Sequence, residues 1–353
     1  MSDGESSSAR LPSVIPRGSS SFRRRFQRSI CLAAPILLCA LGTAHAGALD
    51  DSGVQADLVR LTSGSDGRVG VCALDASGPV CIGGGEHFSM QSVMKLIVGM
   101  AVMDAVDHGQ LHLQDAIVVR REDLSVFVQP IAVLVGPQGY STTVGDLVRR
   151  AIVDSDSAAT DILIAKLGGP RQVEAFLTRN GIYEVRVDRD ERHLQTEILG
   201  LTWKPGYVDP AIFEEAVDAV PVRQRNIAYR HYRADPRDTA TPEGMVTLLQ
   251  QLATGKLLSA SSTHFLVSVM RETVTFPDRL KAGVPKDWTL AHKTGTSGSW
   301  GGVTAATNDV GILQAPDGGF LSLAVFIGDS RASEPARAAL MAQITAAIIA
   351  HYH

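Results

Sequence analysis

The 353-residue chain is short of several things that would settle its class at once. It has no excess of positive charge. Its 33 Lys and Arg face 37 Asp and Glu, a formal charge of −4, which gives no reason to expect a nucleic-acid partner. Its apolar run at Ile30 to Leu41 holds twelve residues and Pro35, too short to span a bilayer comfortably. The ten histidines form no zinc-binding spacing, and the terminal His351-Tyr352-His353 reads as a chain end. No G-x-S-x-G occurs, and Gly83-Gly84-Gly85 reads as a turn rather than a phosphate loop. Internal repeats are absent. Lysines number only 7, and Phe, Trp and Tyr together only 19 (10, 3 and 6).

Four cysteines are present, and two of them, Cys31 and Cys39, fall in a leader. There Arg23, Arg24, Arg25 and Arg28 precede the apolar run, and Ala44-His45-Ala46 supplies small-x-small residues for a signal peptidase. The pattern predicts an export signal over 1–46 and a periplasmic or secreted protein. An uncleaved anchor is the plainer alternative. Arg23-Arg24-Arg25-Phe26-Gln27-Arg28 also resembles a twin-arginine signal, so both export routes stay open. The leader carries six Arg, one Asp and one Glu, so the mature charge becomes −4 − 4 = −8. Cys72 and Cys81 flank the turn Asp75-Ala76-Ser77-Gly78-Pro79. A symmetric hairpin there sets them opposite each other, within disulfide reach.

Strands are predicted at 67–73 and 78–83, followed by an all-round apolar helix from Met90 to about Val106. Further helices are predicted at 141–153, 159–167, 170–180, from Pro242 and at 259–271. Strands return at 289–294, 304–314 and 320–328, and Ser333 caps a last helix. The order is two strands, many helices, three strands and a helix. Such an order predicts an α+β fold whose sheet is built from both chain ends, with a helical domain inserted between them.

Against this background Ser92 and Lys95 stand out in FSMQSVMKLIVGM (88–100). At i, i+3 on a helix their side chains are neighbours, so an amine can take a serine proton if burial or another cation lowers its pKa. With 28 serines and 7 lysines, chance alone gives about half an S-x-x-K, so the pair by itself says little. Lys293-Thr294-Gly295 lies on the first strand after the helices, where glycine lets a ligand approach the backbone. Ser155-Asp156-Ser157 breaks two helices and can project a hydroxyl into a cleft.

Taken together and in this order, Ser92-x-x-Lys95, Ser155-Asp156 and Lys293-Thr294-Gly295 resemble the class A serine β-lactamases. FSMQSVMK, HKTGTSG and TAATND are similar to that family, and the likeness runs over nearly all of the chain after the leader. The resemblance implies a five-stranded antiparallel sheet flanked by helices (47–87 and 282–353) and an all-helical domain (88–281). It implies a small β-lactam as the partner, a monomer, no cofactor, no metal and no membrane once the leader is gone. Ser92 would be the nucleophile, with Lys95 and Ser155 relaying protons. The N–H groups of Ser92 and Thr296 would form an oxyanion hole. Lys293, Thr294 and Arg279 would meet the substrate carboxylate. Glu191, in Asp188-Arg189-Asp190-Glu191, would activate the deacylating water. Arg189 would pair with Asp238 to close the omega loop.

Departures from the family pattern are also legible. Ser157 and Gln195 stand where Asn is usual. The usual arginine after Lys-Thr-Gly is absent, Ser299-Trp300-Gly301-Gly302 being the turn there, and Arg279 matches an alternative position. Gln195 to Asp238 spans 43 residues, far more than usual, and predicts a helical insert over about 196–236, either a lid or a packed decoration. Two rivals remain on sequence grounds: a penicillin-binding D-Ala-D-Ala peptidase, and a non-hydrolytic β-lactam or peptidoglycan sensor. Glu191 argues against the first.

Overall fold

The computed structural model describes residues 47–353; the leader, 1–46, on which the export reading falls, lies outside the described residues. Helix α1 (Asp51–Thr62) comes first and was not legible in the sequence, because it buries little beyond Val54 and Leu58. The expected hairpin follows as β1 (Arg68–Leu74) and β2 (Pro79–Ile82). Cys72 lies opposite Cys81, and the two are disulfide-bonded with Cα atoms 4.2 Å apart. After β3 (Phe88–Ser89), the long apolar helix begins as a 3-10 turn, Gln91–Val93, and continues as α2 (Met94–Asp107). Every residue from Met94 to Met103 is buried.

The helix expected from Ser141 starts later. Tyr140–Thr143 is strand β5, paired with β4 (Ala116–Val119), and α3 runs Val144–Val153. The Ser/Thr run supplies both the strand and, at Thr143, the cap whose hydroxyl accepts from the Asp146 N–H at 3.2 Å. Then come α4 (Ser157–Leu167), α5 (Pro170–Arg179), α6 (Glu191–Ile198), α7 (Pro210–Asp218) and α8 (Val222–Ala234). Strand β6 (Thr239–Ala240) pairs with β3, and α9 (Pro242–Ala253) and α10 (Ala260–Arg271) complete the helical block.

The remaining elements are β7 (Thr289–Thr296), β8 (Ser299–Trp300), β9 (Val303–Gln314), β10 (Phe320–Ser330) and α11 (Glu334–Ala350). The main sheet is antiparallel in the order β2-β1-β10-β9-β7. The five strands expected from the two chain ends are therefore all in it. A sixth, β8, lies where the sequence suggested only a turn. Gly301 and Gly302, at φ +59° and +75°, make a two-residue turn that returns β8 onto β9.

Alternation along the strands explains why both faces of the sheet are dry. Val71, Leu323 and Val325 pack with Leu58 of α1 and Ile344 and Ile348 of α11. Cys72, Ala324 and Phe326 face the other way, into the core shared with α2 and α9. The edge strand β7 is thereby held against the start of α2. Gly295 is where the two meet. A Cβ there would collide with the Met90 carbonyl oxygen and sit 3.1 Å from the Val93 N. The glycine thus admits the Ser92 turn itself, not only a ligand as its sequence context suggested.

Candidate active site

Ser92 sits in the 3-10 turn at the head of α2, on the wall of a cavity of about 260 Å³. Lys95, one turn on, is 1% exposed. Its ammonium donates to the Ser155 carbonyl (2.5 Å) and the Ser157 hydroxyl (3.0 Å), lies 3.4 Å from the Ser155 hydroxyl and stands 3.4 Å from Glu191 Oε1. Among the described residues no hydrogen bond joins Lys95 to the Ser92 hydroxyl. The spacing brings the two to one face, but the lysine's donors are taken by the opposite wall.

Opposite that wall, the buried Lys293 ammonium donates to the Ser155 hydroxyl (3.1 Å) and to the Thr294 carbonyl (2.9 Å). Ser155 is thus shared by two lysines. It reaches them from a left-handed backbone conformation, φ +58°, that serine rarely adopts. Asp156 makes the turn possible. Its carboxylate accepts from the Ala159 N–H, capping α4, and from the Ile131 N–H. Burial, then the charge of Lys95, holds the Lys293 pKa well below the ordinary lysine value.

Arg279 is placed differently from the expectation. It is wholly buried behind β7, over the Phe276 ring. One nitrogen donates to the Gly295 and Asn308 carbonyls, the other to the Thr296 hydroxyl at 2.7 Å. Its fork is spent on the strand, so it meets the cavity through Thr296 and not by a direct bidentate contact. Thr294 is bonded to Thr275 at 2.6 Å.

The omega loop is closed as expected. Arg189 Nε donates to Asp238 at 2.6 Å, and the Asp188 and Arg189 N–H groups donate to the same carboxylate. Glu191, at the first position of α6 and 1% exposed, is delivered beside Lys95. Its Oε2 accepts from Gln195 at 3.2 Å, while Oε1 accepts no hydrogen bond among the described residues. That oxygen faces the Lys95 ammonium as its ion-pair partner.

Several working residues were missed in the sequence. Asp161, on α4, accepts the Glu191 N–H at 2.7 Å and pins the start of α6. Gln91 precedes Ser92 at φ +48° and accepts from the Gln195 amide at 3.0 Å. Its own amide donates to the Tyr232 hydroxyl, which also bonds Ser89. Tyr232 belongs to the insert, so a buried chain runs from the insert through Gln91 and Gln195 to Glu191. The only signal in the sequence was the insert's share of aromatics, five of nineteen.

The insert is both packed and part of the cleft. Tyr207 and Phe213 form a small core with Val126 and Leu199, and Phe127 meets Phe213 edge-on. On α8, the Tyr229 hydroxyl bonds the Gly298 and Val303 carbonyls and accepts from the Ala305 N–H, which ties the helix to the β8–β9 hairpin. Leu199, Arg225 and Tyr229 then line the same cavity as Ser92. A larger cavity of about 440 Å³, beside Ala253, His264 and Phe320, holds none of these groups.

A serine, two buried lysines and a carboxylate on one cleft between a sheet edge and a helical block define a serine acyl-transfer site. Residues 53–352 match the family described as the Beta-lactamase enzyme family. The chain is 31% identical to the extended-spectrum beta-lactamase PER-1 of Pseudomonas aeruginosa, over 78% of this chain and 79% of that protein. It is 31% identical to the beta-lactamase VEB-1 of the same organism, over 69% and 71%. Among solved structures, a beta-lactamase from Chitinophaga pinensis superposes with a TM-score of 0.69 at 30% identity, over 83% and 97% of the two chains. An ancestral (GNCA) class A beta-lactamase gives 0.67 at 31%, over 84% and 99%. The chain belongs to the class A serine β-lactamases.

Two outcomes test this geometry. Tyr232→Phe leaves the buried Gln91 amide without an acceptor, which costs about 1–3 kcal/mol of stability. It also loosens Gln195 on Glu191. With deacylation slowed about tenfold, kcat and KM should fall together while kcat/KM holds; a loss of kcat/KM alone would mean the chain of bonds is only structural. The second outcome concerns pH. A lysine with a lowered pKa loses its proton at a lower pH than usual, so kcat/KM should fall on the alkaline side as Lys293 is neutralised. Lys293→Arg keeps its charge and should move that limb to higher pH; an unmoved limb would assign it to another group.

Proposed function

We propose that the chain hydrolyses the amide bond of penicillins and cephalosporins through an ester on Ser92. The Ser92 oxygen attacks the lactam carbonyl carbon; in one concerted relay Lys95 gives an ammonium proton to Ser155 as it takes the Ser92 proton, and the Ser155 hydroxyl proton goes to the lactam nitrogen as the C–N bond breaks. The backbone N–H groups of Ser92 and Thr296 meet the developing oxyanion; the close approach of β7 to the Ser92 turn at Gly295 supports that pairing. Lys293 and Thr294, with Thr296 held by Arg279, receive the substrate carboxylate. Glu191 takes a proton from water, the hydroxide attacks the ester carbon, and Ser92 leaves with a proton restored.

The observation that carries the reading is Glu191 itself. Its Oε1 stands 3.4 Å from the Lys95 ammonium and accepts no hydrogen bond among the described residues. A peptidase that holds penicillin as a stable ester has no use for that arrangement. Gln195 fills the role usual for Asn. Its amide nitrogen is engaged by Gln91 and Glu191, which leaves its carbonyl oxygen for the water. Ser157 is drawn into the shell of Lys95, so it gives the substrate's acyl amide less than a longer Asn would.

The same reading includes export. The basic-then-apolar leader with its small-x-small site supports a periplasmic or secreted enzyme, and the Cys72–Cys81 disulfide fits an oxidising compartment.

Glu191→Gln keeps the shape of the site and removes the base. Acylation should persist while deacylation falls by 100-fold or more, in line with the roughly 10²–10⁴-fold worth of a general base. Intact-mass spectrometry should then show a penicillin adduct that stays. Unchanged turnover would remove Glu191 from the mechanism.

A further inference from the structure

The insert carries a cation into the cleft that the reaction above does not use. Arg225 lies one turn before Tyr229 on α8 and lines the Ser92 cavity. Its guanidinium sits over the Trp300 ring, 4.7 Å from the centroid. Among the described residues no Asp or Glu oxygen lies within ion-pairing distance of it, and its side chain donates no hydrogen bond. The rest of its surroundings are fixed. The Trp300 indole donates to Asn226 at 2.6 Å, and Tyr229 anchors the helix to the β8–β9 hairpin through its three hydroxyl bonds. The cation therefore rests on a held platform, half-buried, with its donors uncommitted.

We infer that Arg225, stacked on Trp300, forms a subsite for an anionic group on the acyl side chain of the substrate. The inference rests on the hydrolase reading, because that reading orients the ligand. With the ring carboxylate at Lys293 and Thr294, the acyl side chain leaves the Ser92 carbonyl on the opposite side. There it passes Ser157 and Gln195 toward the wall made by Leu199, Arg225 and Trp300. Ser157, short and already bonded to Lys95, leaves space on that path. A guanidinium held over an indole with its N–H groups uncommitted can meet a carboxylate in two parallel hydrogen bonds. The preferred class is thus β-lactams whose acyl side chain bears a carboxylate.

The test compares two penicillins that differ by one carboxylate, benzylpenicillin and its α-carboxybenzyl analogue, on the full-length mature enzyme. The readout is the ratio of their kcat/KM values, α-carboxybenzyl over benzyl. This ratio divides out any common effect of a substitution on folding or on the chemical steps. Arg225→Gln should lower it about tenfold, and Arg225→Lys, which keeps charge but not the planar fork, by less. The ratio in the unaltered enzyme should also fall from low to high ionic strength, and in Arg225→Gln it should not. A ratio that Arg225→Gln leaves unchanged overturns the subsite, as does a preference that salt does not touch. Failure of the unaltered chain to hydrolyse either penicillin would instead sink the hydrolase reading, and the subsite with it.

Discussion

The buried ammonium of Lys95 is the constraint on which the rest of the site depends. A cation at 1% exposure costs several kcal/mol in lost hydration unless polar groups replace the water. Here the replacements are three groups from two separate segments: the Ser155 carbonyl and the Ser157 hydroxyl at the head of α4, and Glu191 from the omega loop. Each must be held in place. Asp156 holds the first turn, Asp161 holds the start of α6, and Arg189 with Asp238 closes the loop behind it. Satisfying one lysine therefore gathers Ser155, Ser157 and Glu191 beside one serine.

The same constraint explains how a loop can grow without losing function. The extra residues enter between Gln195 and Asp238, after Glu191 has been placed and before the clamp is closed. They do not hang free. α7 builds its own small aromatic core with the 126–127 loop, and α8 binds the β8–β9 hairpin and the Ser92 turn through Tyr229 and Tyr232. The insert becomes a wall of the cleft, and its Tyr232 joins the hydrogen bonds that run through Gln91 and Gln195 to Glu191. That coupling is a physical reason to expect its sequence to shape which acyl groups are accepted.

How much of this was legible in the sequence differs by residue. Ser92, Lys95, Ser155, Glu191 and Lys293 were, because their chemistry needs fixed spacing on fixed elements, and the structure brings them to one cleft. The hairpin and its disulfide were, because period-two pairing fixes what stands opposite Cys72. Arg279 is legible only in part: sequence position sets it near the carboxylate side, and the packing adds that its terminal nitrogens bond Gly295, Asn308 and Thr296. Asp161, Gln91, Tyr232 and Arg225 were invisible. Their roles come from contacts between segments 30 to 141 residues apart, which no local pattern records. β5 stands where a helix start is expected from Ser141, because a Ser/Thr run serves strands and caps alike.

The central claim is that one site both forms and clears an acyl-enzyme. It is tested most directly by intact-mass spectrometry of the unaltered chain, sampled through time with a penicillin and a cephalosporin. The account predicts an adduct of whole-drug mass on the peptide bearing Ser92, rising early and gone once the drug is consumed as its ring-opened product. An adduct that outlasts the drug, or none with either compound, would contradict it.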